Sequence, residues 1–147
     1  MTELQRYRVP TDRAYEPESH LWVQRVGTVV RVGLDELGSE TSGDLAFLQL
    51  ATPGTLLERG SEMGSMEAGK FVGPILSPIR GTVRAVNPAV LRNPRLVNTD
   101  PLEEGWLMEV ELADDEALEH LLVDPAEIEA WFAERLRDYR LRGVLAE

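Results

Sequence analysis

The chain has 147 residues, enough for one domain around a single sizeable core, and its 43% apolar and 28% charged content is that of an ordinary globular protein. A formal net charge of -11 argues against binding nucleic acid or an anionic membrane surface, since both need a basic patch. There is no cysteine, so no disulfide, thiolate metal site or cysteine nucleophile is possible, and any thiol chemistry must come from a group attached to the chain.

The first residues, Met1 to Arg8, contain no apolar signal core, and no later apolar run is long enough to span a bilayer, which predicts a cytoplasmic protein. Residues 1–18 are polar, carry Pro10 and Pro17, and predict an extended segment lying on the surface. From His20 the pattern becomes that of strands: Trp22, Val23, Val26, Val29, Val30 and Val32 are β-formers, and Gly27 stands where a hairpin turn belongs. His20 reads as a polar residue at a strand edge rather than a catalytic one. The other histidine, His120, falls in a stretch predicted to be helical.

Residues 34–42 predict a short helix or turn, and Gly43-Asp44 leads into an apolar strand at 45–50. Pro53-Gly54 and Arg59-Gly60 are turns on either side of a short strand at 55–57. A hairpin follows around Lys70, with a single outgoing arm predicted from Ile75 to Val86. Residues 87–101, with two Asn-Pro pairs and an Asp-Pro, read as a loop. In Trp106 to Leu112 the residues Trp106, Met108, Val110 and Leu112 alternate with Glu109 and Glu111, the signature of a strand with one buried face. The C-terminal stretch opens on Asp124, Pro125 and Glu127, an Asp-x-x-Glu capping box with proline at the first helical position. Ile128, Trp131, Phe132, Leu136 and Tyr139 then recur at helical spacing and predict a face that packs on the body of the protein. Short strands, frequent Gly/Pro turns and a terminal helix predict a mainly β domain, a β-sandwich or flattened barrel with helical additions. One domain spans 1–147, with a core at about 15–112 and a helical extension at about 114–142.

Of fifteen basic residues, fourteen are arginine and one is lysine, Lys70. Wherever a positive charge sufficed this chain uses arginine, whose pKa above about 12 bars it from acting as an amine nucleophile; at position 70 it uses a primary amine. Gly64, Gly69, Gly73 and Pro74 surround it as a tight turn would, presenting the amine to a modifying enzyme. Gly69 and Gly73 are expected to supply backbone angles denied to other residues. No phosphate-binding glycine loop, metal-ligand cluster or Ser/His/Asp spacing accompanies it, which leaves the sequence almost empty as an enzyme.

Several short motifs share one order. They are His20-Leu21-Trp22-Val23, Val32-Gly33, Gly43-Asp44, Lys70 followed after six residues by Ser77-Pro78-Ile79-Arg80-Gly81, the block Asn93 to Pro101, and Gly105-Trp106-Leu107. In that order and register, over roughly 15–135, the chain resembles the H-protein family of the glycine cleavage system, a family of lipoyl carriers. The resemblance implies a barrel-sandwich hybrid fold of the lipoyl/biotinyl type with short helices and a C-terminal helix. It implies lipoic acid in amide linkage to Lys70, a lipoate-protein ligase or lipoyltransferase as the modifying partner, and no catalysis by the chain itself. Glu67 and Gly69 are then the neighbours that the modifying enzyme reads.

The family's usual context, Glu-Ser-Val-Lys-Ala-Ala-Ser, is here Glu67-Ala68-Gly69-Lys70-Phe71-Val72-Gly73, and the usual leucine before Gly-Asp is replaced by Ser42. A rewritten hairpin implies rewritten partners. The chain therefore looks like the divergent lipoate-binding branch that works with a heterodisulfide-reductase-like complex in sulfur oxidation, with glycine cleavage, and its enzymes as partners, as the alternative. A biotin carrier would flank the lysine with methionines, and an unmodified binding protein would leave it free. A Schiff-base lysine would need a desolvated pocket that a glycine-flanked turn does not supply.

Overall fold

Valine pairs on either side of Gly27 make the first hairpin, and the rest of the larger sheet is laid beside it. The computed structural model describes residues 7–145. The strands are β1 (Ala14–Glu16), β2 (Leu21–Val26), β3 (Val29–Leu34), β4 (Leu45–Leu50), β5 (Leu56–Leu57), β6 (Glu62–Ala68), β7 (Val72–Leu76), β8 (Gly81–Val86) and β9 (Met108–Leu112). They form a six-stranded sheet in the order β1-β2-β3-β9-β8-β5 and a three-stranded sheet in the order β4-β6-β7, with all pairings antiparallel. Helices α1 (Glu36–Ser42), α2 (Pro88–Arg92), α3 (Leu96–Thr99) and α4 (Pro125–Leu141) complete the fold. The result is the expected β-sandwich with short helices and a C-terminal helix.

The two sheets face each other across one core. Val23, Val30, Val32, Val83, Met108 and Val110 come from the larger sheet, and Leu45, Leu48, Met63, Met66 and Ile75 from the smaller. Alternating strands expose one face to solvent and bury the other, which is why the period-2 patterns were readable. In β9, Met108 and Val110 are buried while Glu111 is exposed, but the alternation starts late: Leu107 is buried and Trp106 is half-exposed, its ring lying 4.6 Å from the Arg31 guanidinium.

Four expectations need correction. The N-terminal segment is not all superficial: Ala14 and Tyr15 are buried in an edge strand, and buried Arg13 sits 4.7 Å above the Trp22 ring; residues 1–6 lie outside the described residues. The arm from Ile75 to Val86 is two strands in two sheets, because the Ser77 hydroxyl donates to the Ile79 carbonyl at 2.7 Å and turns the chain across the sandwich. The segment 87–101 contains α2 and α3. Buried Asn87 caps α2 by accepting from the Ala89 N–H at 3.1 Å, so an Asn-Pro pair read as loop is a helix start. His120 lies in a turn after the 3-10 segment Asp115–Leu118 and its Nε2 meets the Pro78 carbonyl.

The C-terminal helix binds as its spacing predicts. Asp124 accepts from the Glu127 N–H at 3.0 Å, and Ile128, Phe132 and Leu136 are buried against Tyr15, Trp22 and Leu37. The motif residue Trp22 is buried opposite Gly33, where a Cβ would overlap the indole ring, and its Nε1 donates to the Leu34 and Pro101 carbonyls at 2.9 and 3.2 Å.

Burial pushes the Tyr15 hydroxyl well above its ordinary pKa, and burial likewise raises that of Tyr139. A phenol held neutral in the folded state contributes stability present in full below the unfolded pKa of about 10 and lost as pH rises from there through the raised folded pKa. The unfolding free energy is therefore expected to hold to about pH 9 and fall above about pH 10. Tyr139→Phe should lower stability by about 1 kcal/mol at neutral pH, through a lost hydrogen bond, and make the alkaline fall shallower. Urea titrations across this range measure both; a wild-type curve flat to pH 12 would contradict the assignment.

Candidate functional site

The lysine hairpin is built from β6 and β7, which pair in the register Glu67↔Val72, Met66↔Gly73 and Ser65↔Pro74. The turn is closed by the Ala68 N–H donating to the Phe71 carbonyl at 2.8 Å, which leaves Gly69 and Lys70 at the tip. Lys70 is exposed, and no carboxylate among the described residues lies within ion-pair distance of its ammonium. Glu67 and Gly69 are exposed beside it.

The side chain is free but the backbone is not. The Lys70 N–H donates to the Ser42 carbonyl at 2.9 Å, and the Gly69 N–H donates to the Asp44 carbonyl at 3.1 Å. The tip is thus tied to the segment where α1 ends and β4 begins. That segment is itself held: the Asn98 side chain, on α3, donates to the Gly43 carbonyl at 2.8 Å and accepts from the Leu45 N–H at 2.8 Å. Sequence reading quoted Gly43 and Asn98 only as motif positions, and only that register marked them.

The glycine that the tip requires is Gly43. Its φ is 82°, in the left-handed region, and a Cβ there would stand 2.9 Å from the Lys70 nitrogen. Gly69 and Gly73 are not in the left-handed region, so the expectation that they supply unusual angles is corrected. A Cβ at Gly69 would meet only the Asp44 nitrogen at 3.7 Å. Ser42 is buried and its hydroxyl donates to the Gly38 carbonyl at 2.8 Å, so this departure from the family pattern faces inward. Phe71 and Val72, by contrast, are exposed at the hairpin surface.

Two hollows flank the tip. One, of about 650 Å³, lies between α1 and α3 and is lined by Glu36, Glu40, Asp44, Arg95 and Asn98 as well as Lys70. The other, of about 300 Å³, is more apolar; Leu21, Leu34, Met66, Phe71, Ile75 and Leu76 line it. Lys70 lines the first hollow, and its neighbour Phe71 lines the second. At the far wall of the second hollow is His20, buried and at φ 62°, the one non-glycine residue with positive φ among the described residues. Its Nδ1 meets Asp35 at 2.9 Å and its Nε2 meets the Tyr139 hydroxyl at 3.0 Å, while Asp35 also caps α1 through the Gly38 N–H at 2.7 Å. His20 is therefore a buried joint between β2, α1 and α4, not the edge residue expected. The described residues contain no cluster suited to a metal ion, and none of their helices is long and apolar enough to cross a membrane.

The outer face of the small sheet continues from the tip. Phe47, Glu67 and Val72 lie opposite one another in a single cross-strand row, with Phe47 60% and Val72 73% exposed. β7 is an edge strand, with Pro74 at its middle.

The profile of the family described as glycine cleavage H-protein matches residues 13–135. A glycine cleavage system H protein of Mycobacterium avium is 39% identical over 140 residues, 95% of this chain and 98% of that protein. A probable glycine cleavage system H protein of Natronomonas pharaonis is 42% identical over 116 residues, 79% of this chain and 90% of that protein. Among solved structures, that of a glycine cleavage system H protein from Mycobacterium marinum superposes with a TM-score of 0.74 at 31% identity, covering 85% of this chain and 99% of that one.

Gly43→Ala is expected to cost about 1–3 kcal/mol from the strained φ and the clash with the Lys70 backbone. Gly69→Ala should stay within about 0.5 kcal/mol. Denaturant unfolding of the two variants side by side checks this; equal losses would contradict the assignment of the required glycine.

Proposed function

The chain belongs to the glycine cleavage H-protein family, and from that premise we propose that it is a non-catalytic carrier in which Lys70 bears lipoic acid in amide linkage and the aminomethyl group of glycine cleavage travels on that arm. One observation carries the reading: the sole lysine of the chain is exposed at a hairpin tip whose backbone is tied down by two carbonyls. Such a tip gives a modifying enzyme an amine at a defined place and confines a long arm near the surface at high effective concentration, so several enzymes can be served in turn. The attached group supplies a reversible dithiol/disulfide pair, which the chain, having no cysteine, cannot supply itself. Glu67 and the hairpin are then what a lipoate-protein ligase or lipoyltransferase reads, and the glycine cleavage enzymes are the remaining partners.

The sulfur-oxidation reading takes second place. The relatives cited carry the glycine cleavage name. One of the residues that suggested new partners, Ser42, is turned inward. Exposed Phe71 and Val72 are what still favours an altered partner surface.

Intact mass of protein from its native host is expected to show an added lipoyl group that Lys70→Arg abolishes. The lipoylated protein should support glycine cleavage when combined with the glycine decarboxylase and aminomethyltransferase of the same organism. Failure there, together with sulfur loading of the reduced arm, would reverse the order of the two pathways; absence of any added group on Lys70 would defeat the carrier reading itself.

A further inference from the structure

The site has a second layer that neither the lysine motif nor the family profile assigns a task. Residues 42–45 form a short rail with two sets of grips. On one side the Ser42 and Asp44 carbonyls accept from the Lys70 and Gly69 amides at 2.9 and 3.1 Å. On the other, the residues between and beyond them are held by a single side chain. Asn98 Nδ2 donates to the Gly43 carbonyl and Asn98 Oδ1 accepts from the Leu45 N–H, each at 2.8 Å. Asn98 is itself steadied, with Nδ2 within 3.4 Å of the Ser39 carbonyl and hydroxyl, while the Ser39 hydroxyl donates to the Val97 carbonyl at 3.0 Å.

This arrangement is more than the capping of a helix end. Gly43 follows α1 directly, its φ of 82° is open to several conformations, and the Asp44 side chain is three-quarters exposed. The Gly43 N–H also donates to the Glu40 carbonyl at 3.2 Å and Leu45 pairs with Ala68, but the two Asn98 hydrogen bonds are the side-chain grip on the Gly43 carbonyl and the Leu45 N–H, between and beside the carbonyls that orient the tip. A planar amide that donates to one residue and accepts from another two positions on fixes the rail in both directions.

We propose that Asn98 is a positioning residue for the acylation of Lys70: it does not touch the amine, but it sets the rail that fixes the Lys70 and Gly69 backbone, and so the direction in which the amine enters a partner's active site. The inference rests on the carrier reading above. Losing one of these hydrogen bonds should raise the local opening of the tip about fivefold, and losing both about thirtyfold, since each contributes about 1 kcal/mol and 1.4 kcal/mol is a factor of ten.

The discriminating variant is Asn98→Asp, which keeps volume and the acceptor but removes the donor to Gly43; Asn98→Ala removes both. Two measurements are made on the full chain. Amide hydrogen exchange at Gly69 and Lys70, taken relative to Val110 in β9, separates local opening from global unfolding. Lipoylation by a lipoate-protein ligase with free lipoate and ATP gives kcat and KM, and acetylation of Lys70 by acetic anhydride reports whether the bare amine has changed. Exchange at the tip about fivefold faster in Asn98→Asp and about thirtyfold faster in Asn98→Ala, a KM that rises in the same order at a kcat within about twofold, and unchanged acetylation are expected. Unchanged exchange in both variants would overturn the grip. Faster exchange with unchanged KM would overturn the positioning role. Wild-type protein that accepts no lipoate would overturn the carrier reading and this role with it, an outcome distinct from both.

Discussion

Two backbone hydrogen bonds, from Lys70 to Ser42 and from Gly69 to Asp44, decide what this molecule can do. The carrier role proposed for Lys70 makes opposing demands: its side chain must be free enough to visit other proteins, and its Cα must be fixed enough to be found. A hairpin tip alone meets only the first, because turns are the most mobile part of a two-stranded ribbon. Tying the tip to the neighbouring loop meets the second without touching the side chain. Much of the surrounding sequence then follows: a left-handed glycine at 43 so that the loop passes close, a serine at 42 whose hydroxyl is turned back into α1, and an asparagine at 98 to grip the loop from behind.

The same region is tied to the far end of the chain through His20. Its positive φ is a strained conformation for a residue with a side chain, costing on the order of 1–3 kcal/mol. It is kept there by Asp35 on one ring nitrogen, Tyr139 on the other, and Trp131 with its ring centroid 5.2 Å away. Both ring nitrogens of His20 thus have an oxygen partner, the Asp35 carboxylate on one side and the Tyr139 hydroxyl on the other. Asp35 is at once the histidine's partner and the N-cap of α1, so α4, docked by Ile128, Phe132 and Leu136, bears on the same helix whose C-terminal end presents Ser42 to the lysine. Helix and hairpin are distant in sequence and joined by a short series of polar contacts.

What was legible in the sequence was whatever is written as a period or a cap. Alternation marked β9, spacing marked the buried face of α4, and Asp124-Pro125 marked its start, because these depend on neighbours a few residues away. Lys70 was legible by chemistry, as the one amine in a chain that otherwise uses arginine. The misses share a cause. The buried strand around Tyr15, the change of sheet at Ser77, the helices within 87–101 and the His20 joint all depend on partners far away in the chain, and a proline or a histidine looks the same in a loop as beside such a partner. Gly43 and Gly69 make the point most sharply. Both are glycines near the tip, but only the one at a positive φ facing another backbone is required to be, and that facing arises from tertiary packing alone.

The outer face of the small sheet carries Phe47, Val72 and Leu76 in solvent, and the strand nearest that face ends the sheet. An apolar surface beside an open strand edge is a template on which copies of a chain stack edge to edge. Here Pro74, at the middle of that strand, has no N–H to offer a newcomer, and a net charge of -11 makes each copy repel the next. The molecule can therefore leave an apolar patch exposed next to Lys70, because the strand beside that patch refuses a new backbone at its middle and the charge holds copies apart.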